Sequence, residues 1–190
     1  MTGAADPLFT IGHGTSSQDE ILALLAQAQV RALVDIRRFP GSRAHPHVST
    51  DAMARWLPDA GIAYRWEQRI GGRRRLPKDS VSPDTWWTVE AFRAYAAHTR
   101  TEEFTAGVDE LMEQAAGEAV AVLCSETVWW RCHRRLVADV TVLGRGWPVM
   151  HLMPSGPRLH QPAAGARPVG DGQLVWDVGP AQMSADGVNS

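Results

Sequence analysis

Within the stretch AVAVLCSETVWWRCHRRL, residues 119–136, fall both cysteines of the chain, a glutamate and a Cys-His-Arg triplet. A thiolate, an imidazole and a carboxylate in one loop could supply a nucleophile, an acid/base and an orienting group. Cys124, Glu126, Cys132 and His133 are therefore the candidate catalytic residues. Cys124 ends an apolar run, where a free cysteine serves equally well as a core residue. Arg131, Cys132, His133 and Arg134 precede or open the next helix. Unpaired backbone N–H groups there attract anions and depress a nearby thiol pKa. Metal-ligand spacing is absent: structural zinc sites favour Cys pairs two to four residues apart, whereas Cys124 and Cys132 are eight positions apart and the side chains of Cys132 and His133 diverge on a helix. A site built from Cys124, Cys132, His13 and His151 has no supporting spacing, so no metal is expected and no cofactor is specified.

Groups of this kind act together only if secondary structure brings them to one place. Apolar runs suited to buried strands occur at LFTIGH (8–13), VRALVDIR (30–37), AVAVLC (119–124) and PVMHLM (148–153), with a weaker one, IAYRWE, at 62–67. Continuous apolar runs predict strands covered on both faces, as in a parallel sheet. Helical patterns fill the intervals. SQDE at 17–20 reads as a capping box ahead of Ile21, Leu24, Leu25 and Ala28. A helix from about Thr50 places Met53, Trp56 and Leu57 on one face and stops at Gly61. One or two helices occupy 88–116, and a last one covers roughly 130–143. The alternation predicts an α/β fold: a single domain over 8–153, with a mostly parallel sheet flanked by helices. Residues 154–190 are rich in Gly, Pro and Ala and read as a loosely ordered tail, with one added edge strand at 173–178.

Every predicted strand ends on a residue with chemical capacity: His13, Asp35 and Arg37, Glu67, Cys124 and Glu126, and His151. In open α/β sheets, ligands bind outside the carboxyl ends of the strands, so a parallel arrangement collects these groups on one functional edge. Two loops join them there. RRFPGSRAHPH (37–47) carries three arginines, including Arg37 and Arg43, and GGRRR (71–75) carries Gly71, Gly72 and Arg73. Glycines let a ligand approach the backbone, and guanidinium forks suit phosphate or carboxylate. With Trp66 and the Trp129–Trp130 pair alongside, the edge favours an anionic partner, either a small molecule such as a nucleotide or a single-stranded nucleic acid. Asp35 would orient an arginine or His13, which is also how a structural ion pair would look.

The net charge of −2 argues against a protein that coats nucleic acid at large. Residues 31–75 nevertheless hold ten arginines against four acids, so the positive charge is local. Lacking a long apolar run or a basic, apolar leader, the chain is expected to avoid the membrane, to be cytoplasmic and to keep its thiols reduced. Oligomeric state is not specified.

TIGHGT, LVDIRRFPGSR, GIAYRW, IGGRR, FRAYAAH, LCSE and CHRRLVAD occur in the order seen in domain-of-unknown-function family 488, and the chain resembles that family over about residues 9–153. The resemblance implies a compact α/β domain and brings no settled activity. By motif match it implies His13, Asp35, Arg37, Pro40, Ser42 and Arg43 from the first loops, Gly71, Gly72 and Arg73 from the next, and Cys124, Glu126, Cys132, His133 and Arg134 as the positions used. Ser125 stands where alanine is usual, and Gly14 where serine often follows the histidine. A weaker likeness to rhodanese domains rests on LVDIR followed by a strand ending in cysteine. Glu126 argues against it, because a carboxylate inside an anion cradle repels the anion, and the interval from Cys124 to Arg131 is one residue longer than the cysteine-phosphatase pattern. Three functions stay open: an enzyme acting on an anionic substrate, a non-catalytic nucleotide or nucleic-acid binding module, and a rhodanese-like sulfurtransferase using Cys124.

Overall fold

The computed structural model describes residues 6–41 and 44–179. Five of the apolar runs form the strands β1 (Leu8–Gly12), β2 (Ala32–Asp35), β3 (Ala63–Trp66), β4 (Val120–Cys124) and β5 (Val149–Leu152). They pair in parallel in the order β3-β2-β4-β1-β5. β6 (Arg158–Leu159) adds an antiparallel edge to β5. β2 and β4 are buried at every position, as continuous apolar runs require when both sheet faces are covered.

Helices cover the two faces unequally. α1 (Gln18–Gln27) and α2 (Thr50–Asp59) pack Ile21, Leu25, Met53 and Leu57 against Ile11, Leu33 and Leu123. α3 (Glu90–His98), α4 (Glu102–Gly117) and α5 (Arg134–Asp139) pack Tyr95, Phe104, Val108 and Leu136 against Val34, Val120 and Val122. Alternate residues of one strand thus serve opposite layers. The capping box at α1 is formed, with Ser17 N–H donating to Glu20 Oε2 at 2.7 Å and Glu20 N–H to Ser17 Oγ at 3.3 Å.

The C-terminal segment differs from the loose tail expected of it. β7 (Ala166–Gly170) and β8 (Gln173–Trp176) form a separate antiparallel hairpin, so the strand expected at the edge of the main sheet pairs with β7 instead. Leu174 and Trp176 are fully buried in the α3–α5 layer. Asp139 at the end of α5 ties the segment down. Its Oδ1 accepts from Ala163 N–H at 3.0 Å and meets His160 Nε2 at 2.8 Å, while Oδ2 accepts from Trp176 Nε1 at 2.8 Å. Gly and Pro here mark turns between short strands, and a handful of buried side chains is enough to order them. Residues 180–190 of the expected tail lie outside the described residues.

The order of strands fixes where a crevice opens. The loops after β1 and β2 lead to α1 and α2 on one face, and those after β3 and β4 lead to the helices on the other. β2 and β4 are neighbours in the sheet, so their outgoing chains part in opposite directions. Ligand crevices of α/β folds form at such switch points.

Candidate functional site

β4 ends at Cys124, and the chain returns through residues 125–133 to start α5. Cys132 is extended (φ −121°, ψ 153°) and His133 is the first residue to turn helical. The expected divergence of Cys132 and His133 assumed both on a helix; with Cys132 extended, the two side chains converge. Cys132 Sγ lies 3.1 Å from Cys124 Sγ, and His133 Nδ1 lies 3.5 Å from Cys132 Sγ and 3.7 Å from Cys124 Sγ. Both thiols are free and buried.

Burial opposes ionisation of Cys132, but the hydrogen bond shared with Cys124 and the charges of His133 and Arg134 hold its thiol pKa well below the usual value. Cys124 moves the other way, pushed well above it by the same bond and by burial. One proton between two sulfurs accounts for both directions. The imidazole is fixed from behind. His133 Nε2 is 3.3 Å from the Ile36 carbonyl, which only accepts, so Nε2 donates there and Nδ1 is turned toward the sulfurs. Tyr95 packs against the ring at 5.0 Å between centroids. Gly72 lies so close that a β-carbon there would come within 2.8 Å of Nδ1.

Several expected substrate contacts are used up inside the scaffold. Arg37 makes a two-pronged ion pair with Asp35 (Nε to Oδ1 at 2.8 Å, NH2 to Oδ2 at 2.5 Å), donates to the Val48 carbonyl at 2.7 Å and meets His13 Nε2 at 3.3 Å. Burial, with Arg37 alongside, lowers the His13 pKa to about 4. Arg134 is fully buried and donates to the carbonyls of Glu126 and Thr127 and to Thr10 Oγ1. Glu67 is spent on Arg65 and Arg69. His151 lies between Thr10 and His160 and stacks on Trp129 at 4.1 Å. Asp35, His13 and Arg134 therefore build the edge and hold its loops rather than project from it, and Arg37 does the same while also lining the cavity. Ser42 and Arg43 lie outside the described residues.

What faces the crevice shares only Arg37 with this set. A cavity of about 380 Å³ has Cys124, Cys132 and His133 on its lining together with Ser125 and Glu126. Arg38, Arg73 and Arg131 form its cationic rim, Phe39, Phe92 and Tyr95 an aromatic wall, and Gly72 a gap in the side-chain lining. Arg73 is left-handed (φ 56°), an uncommon conformation for a residue with a β-carbon. Gly71 lets the chain pass Arg38, whose Cα would lie 3.0 Å from a β-carbon at 71. Arg38, Phe39, Arg73 and further arginines at 74 and 75 also line a second, larger cleft of about 870 Å³ that runs on past His98. Sequence reasoning singled out Arg37, Gly72, Arg73, Cys124, Glu126, Cys132 and His133 but not Arg38, Phe39 or the α3 aromatics. Phe92 and Tyr95 fall in the helical stretch at 88–116 with no further signal, and nothing local distinguishes Arg38 from its neighbour Arg37.

Among the described residues no helix is long and apolar enough to cross a membrane. No curated protein and no solved structure matches the chain. A family model described as Domain of unknown function DUF488 matches residues 17–141, a span that runs from the α1 cap through β4 and both cysteines into the turn after α5. The chain belongs to that family.

Proposed function

We propose that the protein is an enzyme acting on an anionic substrate of the nucleotide or nucleic-acid class, with its chemistry at the Cys124–Cys132–His133 cluster. One observation carries this reading: the cationic rim and the sulfur–imidazole floor line the same cavity. A volume of about 380 Å³ suits a group the size of a nucleotide. Arg38, Arg73 and Arg131 hold the anion as guanidinium forks hold phosphate. Glu126, exposed beside the floor with its Oε1 accepting from Val128 N–H at 3.3 Å, is placed for proton transfer. Phe39, two-thirds exposed, offers a face on which a base can stack.

The continuation of the cationic wall into the larger cleft favours a second reading, a module that binds a nucleic-acid strand without turning it over. A comparison of wild type with Glu126→Gln separates the two. Mononucleotides, inorganic phosphate and a short single-stranded oligonucleotide are titrated calorimetrically, and product formation is followed by mass spectrometry. Turnover that disappears in Glu126→Gln while affinity stays unchanged is the expected result. Binding without turnover in either protein identifies the module. A mass gain of one sulfur on Cys124 after thiosulfate treatment identifies a sulfurtransferase and overturns both.

A further inference from the structure

We propose that Cys124, Cys132 and His133 are the three protein ligands of a zinc-class divalent cation whose fourth position opens into the 380 Å³ cavity. The ion's use in chemistry rests on the enzyme reading above, whereas its binding does not.

A tetrahedral zinc ion about 2.3 Å from sulfur and about 2.0 Å from imidazole nitrogen needs S···N edges of about 3.6 Å and an S···S edge of about 3.8 Å. The two S···N edges here are 3.5 and 3.7 Å. Only the S···S edge, at 3.1 Å, has to open, by roughly 0.7 Å. Two of the three edges already fit, among side chains that belong to a strand end and a helix start and have no local ligand spacing.

The surroundings are those of a ligand set. Metal-bound imidazoles donate their other N–H to a carbonyl or carboxylate, which fixes tautomer and ring plane. His133 does this to Ile36 O and directs Nδ1 at the sulfurs. Each sulfur also accepts a backbone N–H, Cys132 from Arg134 at 3.5 Å and Cys124 from Glu126. Gly72 leaves the imidazole the room it occupies. Two sulfurs and one imidazole are a three-ligand set of the kind found in catalytic zinc centres, where the fourth position takes water or substrate. Here that position faces the anion-binding rim, so the ion would polarise a phosphoryl or acyl oxygen of the bound anion.

The reduced full-length protein, stripped with chelator, is titrated with cobalt(II) and followed by absorption, and the zinc content of untreated protein is measured by elemental analysis. One cobalt per chain is expected, with ligand-field bands of a tetrahedral centre and a charge-transfer band with the intensity of two thiolates. The wild-type spectrum decides by itself, whether or not a ligand variant such as Cys132→Ser folds. His133→Gln should weaken cobalt binding at least tenfold. Arg73→Ala should weaken binding of mononucleotide and leave cobalt stoichiometry unchanged, so loss of the anion site and loss of the metal site are separately visible. Failure of the reduced chain to take up one cobalt, or a bound cobalt lacking thiolate charge transfer, overturns the proposal. Loss of two hydrogen masses and both titratable thiols on exposure to a small disulfide, without cobalt uptake, would make the sulfurs a redox pair and overturn it equally.

Discussion

The imidazole of His133 rests against the backbone of Gly72, with no space for a β-carbon between them: one built there would sit 2.8 Å from Nδ1. Two segments 61 positions apart are thereby matched to each other, the glycine pair after β3 and the start of α5. The ring cannot retreat easily, because Tyr95 and the Ile36 carbonyl hold it from other sides. Gly72→Ala should therefore destabilise the fold by about 1–3 kcal/mol, the usual range for overpacking, and should lower cobalt affinity as the ring turns. Urea unfolding and the cobalt titration check the two effects separately. An alanine variant with unaltered midpoint and spectrum would mean that the ring relaxes freely.

Asp35 and Arg37 form the charged core of the sheet's edge, at 0% and 4% exposure. Asp35→Asn keeps the shape but leaves the guanidinium short of its counter-charge, and also weakens the bond from Tyr64 Oη, now 2.8 Å to Oδ2. Breaking a buried pair from one side costs about 3–5 kcal/mol. The denaturant midpoint should fall accordingly with an unchanged slope.

Low pH should act through the buried imidazoles. Burial, with His160 and Arg134 nearby, lowers the His151 pKa to about 3, and His13 is lowered to about 4. Unfolded histidine titrates near 6.5, so below that the unfolded chain binds protons that the folded one does not. Their stabilising contribution is complete above pH ~6.5 and is lost as pH falls toward 4 and then 3. Urea midpoints should decline steadily from pH 7 to 5, and His151→Gln should flatten part of that decline. A midpoint that rises on acidification contradicts the assignment.

Arg73→Ala and Arg131→Ala should each weaken mononucleotide binding by roughly tenfold, the loss of one hydrogen bond to a charged group. The same substitutions should leave the unfolding midpoint almost unaltered, because both side chains are exposed. Calorimetry at two salt concentrations checks this, since the double variant should also lose part of the salt dependence.

Trp176→Ala should cost about 3–5 kcal/mol, the range for deleting a buried aromatic, whereas Trp176→Phe should cost less while leaving Asp139 Oδ2 without its indole donor. Limited proteolysis between β6 and β8 reports whether the hairpin has detached. Equal resistance in the alanine variant would show that the hairpin is held by its other contacts.

Much of the architecture was legible because it depends on pattern. The runs at 8–13, 30–37, 119–124 and 148–153 are too short for helices and too apolar for exposed strands, and the weaker one at 62–67 forms the half-exposed edge strand β3. A parallel sheet is the arrangement that buries them, and it brings Cys124 and the 71–75 loop to one edge. Partner choice was not legible. Arg37 and Arg38 are adjacent and alike in the sequence and both line the cavity, yet Arg37 spends its guanidinium on Asp35 and the Val48 carbonyl, which no local pattern announces. Cys132 and His133 converge because of one extended residue, a dihedral that no spacing rule encodes. The role of 158–176 was hidden because Asp139 gathers partners from three places in that segment, and nothing local at any of them announces the others.

The opposed departures of the chain after β2 and β4 also divide the pocket by origin. Its floor comes from the end of β4 and the start of α5, while Arg38, Phe39 and Arg73 of its wall come from the connections that follow β2 and β3. Such a design separates reactivity from recognition: the exposed connection at 73–83 could be lengthened, shortened or exchanged, and the range of accepted molecules redrawn, without moving a sulfur atom.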